Sequence, residues 1–171
     1  MPPPNTSLSK AYFYKAKALK KLNNYNDAIL YFEQVIRMCD DQFLQSSALY
    51  EISKIKIQQK DFYEAYYNLQ RATHYKLKQK KLINYKIFTE GVIFLMKRKT
   101  KTGLKLLSTL VDKIQTASPM NQQDYITPLV YLYRAYGHFV SDEYEKALKD
   151  YIKSNTIKKL NTSATFNMIM C

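Results

Sequence analysis

Two histidines, two cysteines and three glycines are all that this 171-residue chain brings to the chemistry that most often depends on them. Catalysis needs a base, a nucleophile or a metal held in fixed geometry. His74 stands in a lysine-rich stretch, and His138 falls inside the apolar run "YGHF", where a packed histidine is the simpler reading than a ligand. Cys39 and Cys171 are too few for a disulfide framework, and neither lies in a metal-binding spacing. No His-x-x-x-His pair or paired acidic motif occurs, and the adjacent Asp40 and Asp41 suit a turn and a helix cap. Three glycines cannot build a phosphate-cradling loop; Gly103 merely opens "GLKLLS". No catalytic residue, cofactor or metal is expected, and the chain reads as a non-enzyme.

What the chain does carry is a pattern written several times. "NNYNDAILYFEQVIR" (Asn23 to Arg37) is echoed by "KDFYEAYYNLQRA" and "SDEYEKALKDYIKS". Aligned on the small residue after each polar turn, the anchors are Ala28, Ala65, Gly103 and Ala147, separated by 37, 38 and 44 residues. Spacing of this order marks stacked supersecondary units that share a core. Twelve residues before each anchor stands another small residue: Ala16, Ser53, Gly91 and Ala135. Large residues flank both positions at steps of four: Tyr12, Leu49, Ile87 and Tyr131 before the first, and Phe32, Leu69, Leu107 and Tyr151 after the second. Steps of four share one helical face, small residues let two helices approach, and large ones fill the groove beside them.

Composition agrees. Hydrophobic residues make up 46% of the chain, enough for a packed core, and scarce glycine and proline leave little room for tight β-hairpins. Helices are expected over residues 8–22, 25–39, 42–59, 62–79, 81–98, 102–116, 124–140 and 143–160. The stretch 115–128, with its two prolines, is expected to be an exposed connection. No early apolar run follows a basic start, and no window reaches the roughly 18 apolar residues of a membrane span. A soluble, cytoplasmic protein is expected, for which a cytoskeletal or ciliary assembly is a fitting setting.

The arrangement resembles the tetratricopeptide repeat, whose consensus sets a small residue in each helix and an aromatic four residues beyond the second. The likeness is best in "NYNDAILYFEQV" and "EYEKALKDYIKS" and weakest in the third unit, where Gly103 replaces alanine. In three units the family's leucine before the first small residue is replaced by Lys15, Glu90 and Arg134; only Ile52 fits. The resemblance implies an all-α, right-handed α-solenoid of about four antiparallel helix pairs. Its units lie near 9–41, 42–80, 81–118 and 124–160, within one repeat domain over 9–160. A leader at 1–8 and a tail at 161–171, truncated or docking, flank it.

The resemblance also implies a function, as a scaffold or adaptor that holds a protein partner, an extended peptide or a helix, in the concave groove lined by the first helix of each pair. Carried over by position, that groove is Lys10, Phe13 and Lys17, then Tyr50, Lys54 and Ile57, then Phe88, Val92 and Leu95, then Leu132, Tyr136 and Phe139. Chaperone-binding members grip an acidic C-terminal peptide with a lysine–asparagine–lysine–arginine clamp. The corresponding positions here include Phe13, Lys17, Phe88 and Val92, so that clamp is not reproduced.

Charge adds a second reading. Between Arg71 and Lys105 eleven basic residues face one acid, Glu90, so this segment holds +10 of the net +13. Its patches are Arg71, Lys76, Lys78, Lys80 and Lys81 at one end of a helix, and Lys97, Arg98, Lys99 and Lys101 at the other. An acidic protein surface or RNA is the partner such patches would draw, the latter through salt-sensitive phosphate contacts. A third expectation is self-association through the last repeat.

Overall fold

The computed structural model describes residues 6–74, 80–116 and 125–157. Every regular element among them is an α-helix: α1 (Thr6–Lys21), α2 (Tyr25–Met38), α3 (Gln42–Gln58), α4 (Phe62–His74), α5 (Lys80–Met96), α6 (Thr100–Gln115), α7 (Ile126–Phe139) and α8 (Tyr144–Ile157). The expected all-α fold of consecutive helix pairs is what forms. Of the expected leader, residues 6–8 belong to α1; residues 1–5, the end of the fourth expected helix at 75–79, most of the connection at 117–124 and the tail lie outside the described residues. Pro128, expected in that connection, sits buried in the third position of α7, where a missing N–H leaves no helical bond unmade.

The chain divides into two compact units, residues 1–89 and 90–171. In the first, α1 packs on α2, α2 on α3 and α3 on α4, and α1 also touches α3. Its core gathers Ala16, Ala28, Phe32, Val35, Cys39, Leu44, Ala48, Ile52 and Ile55. In the second, α6 packs on α7 and α7 on α8. All eight small positions predicted from the repeat are buried, as are Phe32, Leu49, Leu69, Leu107 and Tyr131 among the large ones. Asp41 is the cap its sequence suggested: its Oδ1 accepts from the N–H of Phe43 at 2.8 Å and of Leu44 at 3.3 Å at the start of α3.

The four hairpin turns are one turn made four times. Asn23, Lys60, Arg98 and Asp142, each five residues before its anchor, have φ of 61°, 62°, 57° and 60°. The next residue's N–H returns to a carbonyl five residues back: Asn24 to Leu19, Asp61 to Lys56, Lys99 to Phe94 and Glu143 to His138, at 2.9–3.0 Å. A left-handed residue followed by this bond is the Schellman stop, a position that favours glycine because a Cβ crowds the carbonyl. This chain fills it without glycine. In the first and fourth turns the side chain does work in return: Asn23 Oδ1 accepts from the Tyr25 hydroxyl at 2.7 Å, and Asp142 Oδ1 from Tyr144 at 2.6 Å. The second and third turns place Phe62 and Thr100 at the tyrosine's position, and their left-handed residues are Lys60 and Arg98.

Two of the three residues that depart from the family's leucine, Lys15 and Arg134, form cross-helix pairs at a separation of 16. Lys15 Nζ donates to the Tyr31 hydroxyl at 2.6 Å, and Arg134 forks onto Asp150 through Nε at 2.6 Å and Nη2 at 2.7 Å. A matching bond ties helix ends: Ser46 Oγ donates to the Ala72 carbonyl in one pair, and Ser154 Oγ to the Pro128 carbonyl in another. Ser46 and Pro128 hold the same repeat position, as do Ala72 and Ser154, so one contact is closed from opposite sides.

In the third pair the small positions shrink to glycine, and the two backbones meet closely there. A Cβ on Gly103 would meet the Gly91 carbonyl oxygen at 2.9 Å and Leu95 Cδ2 at 2.8 Å, whereas one on Gly91 would meet the Leu107 side chain at 3.0 Å and backbone, the Gly103 carbonyl oxygen, only at 3.5 Å.

Three stability outcomes follow, measurable by urea denaturation. Gly103→Ala gains about 1 kcal/mol of helix propensity but sets a methyl against backbone, an overpacking cost of ~1–3 kcal/mol, so it destabilises the protein. Lys60→Gly and Arg98→Gly each stabilise by about 0.5–1 kcal/mol, and Asn23→Gly and Asp142→Gly gain less because they forfeit a tyrosine bond. Asp150→Ala strands a part-buried guanidinium and costs ~3–5 kcal/mol, while Arg134→Leu with Asp150→Leu is close to neutral.

Candidate functional site

The face with open surface and concentrated charge lies on the first helices of the first two pairs, within the first unit. α1 carries Lys10, Lys15, Lys17, Lys20 and Lys21 and no acid. Lys10, Tyr14, Lys17 and Lys21, at steps of four, three and four, are all exposed on one side of it. Phe13 lies half-buried beside them, its ring edge-on to Phe32 at 5.6 Å and to Tyr14 at 5.8 Å. The Lys17 ammonium sits 5.8 Å from the rings of both Phe13 and Tyr14. On α3, half-buried Tyr50 meets Tyr85 edge-on at 5.1 Å, and Lys54 Nζ lies 4.7 Å from its ring.

Glu51 joins the two helices. Its Oε2 accepts from Lys20 of α1 at 2.7 Å and its Oε1 from Lys54 of α3 at 2.5 Å. One carboxylate shared by two ammonium groups leaves the cluster a net cation. Burial pushes Glu51 up, but Lys54 and Lys20 together outweigh it and hold the carboxyl below its usual range. Burial depresses Lys20 further than Glu51 lifts it, so that ammonium is held at a cost. Aromatic edges interleaved with cations offer a partner apolar contact and a place for carboxylates.

The structure sorts the twelve expected groove residues by access. Lys10, Lys17 and Phe139 are exposed, and Phe13, Tyr50, Lys54 and Tyr136 are half-open. Ile57, Phe88, Val92, Leu95 and Leu132 are interior. Phe88 is spent on an edge contact with Phe62 at 6.2 Å, and Leu95 sits where a Cβ on Gly103 would fall. These five have no face left for a partner. Lys20 and Glu51, which sequence reasoning passed over, complete the open face; Lys20 holds the register position that Ile57, Leu95 and Phe139 hold in the other pairs.

The expected basic patches are less of a unit. Lys97, Arg98, Lys99 and Lys101 are exposed together around the α5–α6 turn, Lys81 is exposed on α5, and Arg71 lies half-buried, 5.6 Å from the ring of exposed Tyr67. Lys76 and Lys78 lie outside the described residues, and Lys80 opens α5. His138 proves to be a structural group: its Nδ1 meets Glu143 Oε2 at 2.5 Å across the α7–α8 turn, and Lys146 holds the other oxygen at 2.7 Å.

The charge cluster has a pH signature. Because Glu51 ionises more readily folded than unfolded, its contribution is full above the usual carboxylate range and is lost as pH falls through its lowered value. Glu51→Gln, which leaves two part-buried lysines uncompensated, therefore lowers stability at pH 7 by about 1–3 kcal/mol. Thermal melts between pH 7 and pH 3 should show the gap between variant and wild type closing toward the acid end.

Residues 9–41, the first helix pair, match the family model described as Tetratricopeptide repeat. A search of curated proteins finds no match to the chain. Among the described residues no helix is long and apolar enough to cross a membrane. With one pair carrying the family's sequence pattern and four pairs sharing its small-residue register and turn, the chain is a tetratricopeptide-repeat-like protein.

Proposed function

We propose that the chain is a non-catalytic adaptor whose α1–α3 face holds an acidic, amphipathic segment of another protein, as a subunit of a larger assembly. Repeats of this kind serve as protein-interaction modules, and the first pair is the one the family model matches. The observation that carries the reading is the combination on one face of Phe13, Tyr14 and Tyr50 with Lys17, Lys20 and Lys54, against the single carboxylate of Glu51. Aromatic rings supply contact area at low entropic cost, and an amphipathic helix or extended segment sets its apolar side on them while its acids meet the lysines.

RNA association is the second reading, favoured by the four exposed basic residues from Lys97 to Lys101 on one turn. Lysine-dominated phosphate contact would make it nonspecific and strongly salt-dependent.

Fluorescence anisotropy with an acidic amphipathic peptide, its basic counterpart and a single-stranded RNA separates the two. The adaptor reading expects the acidic peptide to bind, Lys17→Glu with Lys54→Glu to weaken it by tenfold or more, and Phe13→Ala to weaken it at unchanged charge. Arg98→Glu with Lys99→Glu should leave peptide binding within about twofold. Peptide affinity indifferent to Lys17 and Lys54 overturns the reading. RNA binding that is lost with the Arg98/Lys99 variant and collapses with salt would establish the alternative instead.

A further inference from the structure

The outer side of α8 carries an apolar stripe, and the positions matching its first two residues are buried or half-buried in the earlier pairs. Tyr144, Leu148 and Ile152, at steps of four, are 58%, 60% and 58% exposed. In the second and third pairs the positions matching Tyr144 and Leu148 seat the first helix of the next pair. Phe62 of α4 meets Phe88 of α5, and Lys86 of α5 reaches to 5.9 Å from the ring of Tyr66. Leu104 of α6 lies against Gly137 of α7, close enough that a Cβ there would come within 2.7 Å. The α8 stripe therefore has the shape of a seat for a helix. Phe139, packed edge-on against Tyr144 at 5.7 Å and itself exposed, extends it at one end.

The charges beside the stripe say which helix fits. Glu145, Lys149 and Lys153 lie along one flank, acid toward the N-terminus and bases toward the C-terminus. We propose that α8 pairs antiparallel with α8 of a second copy of this chain, about a two-fold axis at Leu148. In that register Leu148 meets Leu148, and Tyr144 of each copy meets Ile152 of the other. A two-fold of this kind brings each flank against itself, so Glu145 of the second copy falls at the level of position 151. It then stands between Lys149 and Lys153, about 3 Å along the axis from each at 1.5 Å rise per residue. Opposed helix dipoles add to the match. The chain's net charge of +13 opposes any meeting of two copies. At physiological salt the Debye length of about 8 Å screens that long-range repulsion and leaves the close pairs. A stripe this small stays below the ~1,200 Å² of a stable interface, so the dimer is a weak one, with a Kd on the order of tens of micromolar or above.

Sedimentation equilibrium of the full chain from about 5 to 500 μM at 0.15 M salt tests it. The expected result is a weight-average mass rising from 20.2 kDa toward twice that value. Leu148→Glu, an exposed site on the folded monomer, should remove the rise, since it sets two carboxylates on the axis. Glu145→Lys alone should weaken association several-fold. Glu145→Lys combined with Lys149→Glu and Lys153→Glu should restore it, because the reversed flank is again complementary to itself. A mass that stays monomeric throughout, or a dimer indifferent to Leu148→Glu, or a full reversal that fails to restore association, overturns the proposal. Circular dichroism of each variant confirms that the fold is intact. Peptide binding at the α1–α3 face is a separate readout, and Leu148→Glu should not change it.

Discussion

Everything in this molecule depends on how closely the two helices of each pair approach, and that distance is set by pairs of small residues twelve positions apart. Ala16 with Ala28, Ser53 with Ala65, Gly91 with Gly103, and Ala135 with Ala147 are buried throughout. With a large residue at either member the pair would open and the aromatic and aliphatic side chains around it would lose their contacts. The third pair shows how tight the constraint is. Glycine is a poor helix residue by about 1 kcal/mol, yet it stands at both small positions there because the Gly91 carbonyl occupies the space a methyl on Gly103 would need. Local propensity yields to tertiary distance.

The turn that brings the helices together shows the opposite compromise. All four left-handed stops are held by residues with a side chain, and no glycine takes a positive φ among the described residues. The repeated pair of Schellman bonds, with the burial that follows closure, over-determines the turn and carries the strain. Asn23 and Asp142 offset part of it by binding the tyrosine two residues on; Lys60 and Arg98 have no such bond, and their side chains run into solvent. A long basic side chain in a strained turn keeps the hairpin tip wet. At Arg98 it also gathers charge where Lys97, Lys99 and Lys101 already stand.

Much of this was legible in the sequence because packing at a fixed period leaves a fixed period. The anchors, their partners and the helix boundaries could be read by counting, even in the third unit, where the family's pattern is faint. What could not be read was which residues along the inner register stay open. Phe88, Val92 and Leu95 share register positions with Phe13, Lys17 and Lys20, and position alone assigns all six to one surface. The polar departures were visible as anomalies but not as pairs. Lys15 with Tyr31 and Arg134 with Asp150 lie 16 residues apart, a distance set by hairpin geometry rather than by any helical repeat. Lys20 with Glu51 spans 31 residues between neighbouring pairs and has no periodic signature at all.

Residue type explains the difference in access. A valine at the position of Val92 can be covered by its neighbours at a gain, and it is. A lysine at the equivalent Lys17 or Lys54 cannot be covered without a partner for its charge, since burying an unpaired ammonium costs several kcal/mol. Those lysines therefore stay exposed or half-exposed where an aliphatic residue would be covered, and Glu51 limits the cost by satisfying Lys20 and Lys54 together. The open face is thus made by the residues that depart from an efficient core. The aromatic rings beside them stay accessible because the charges next to them must remain in water.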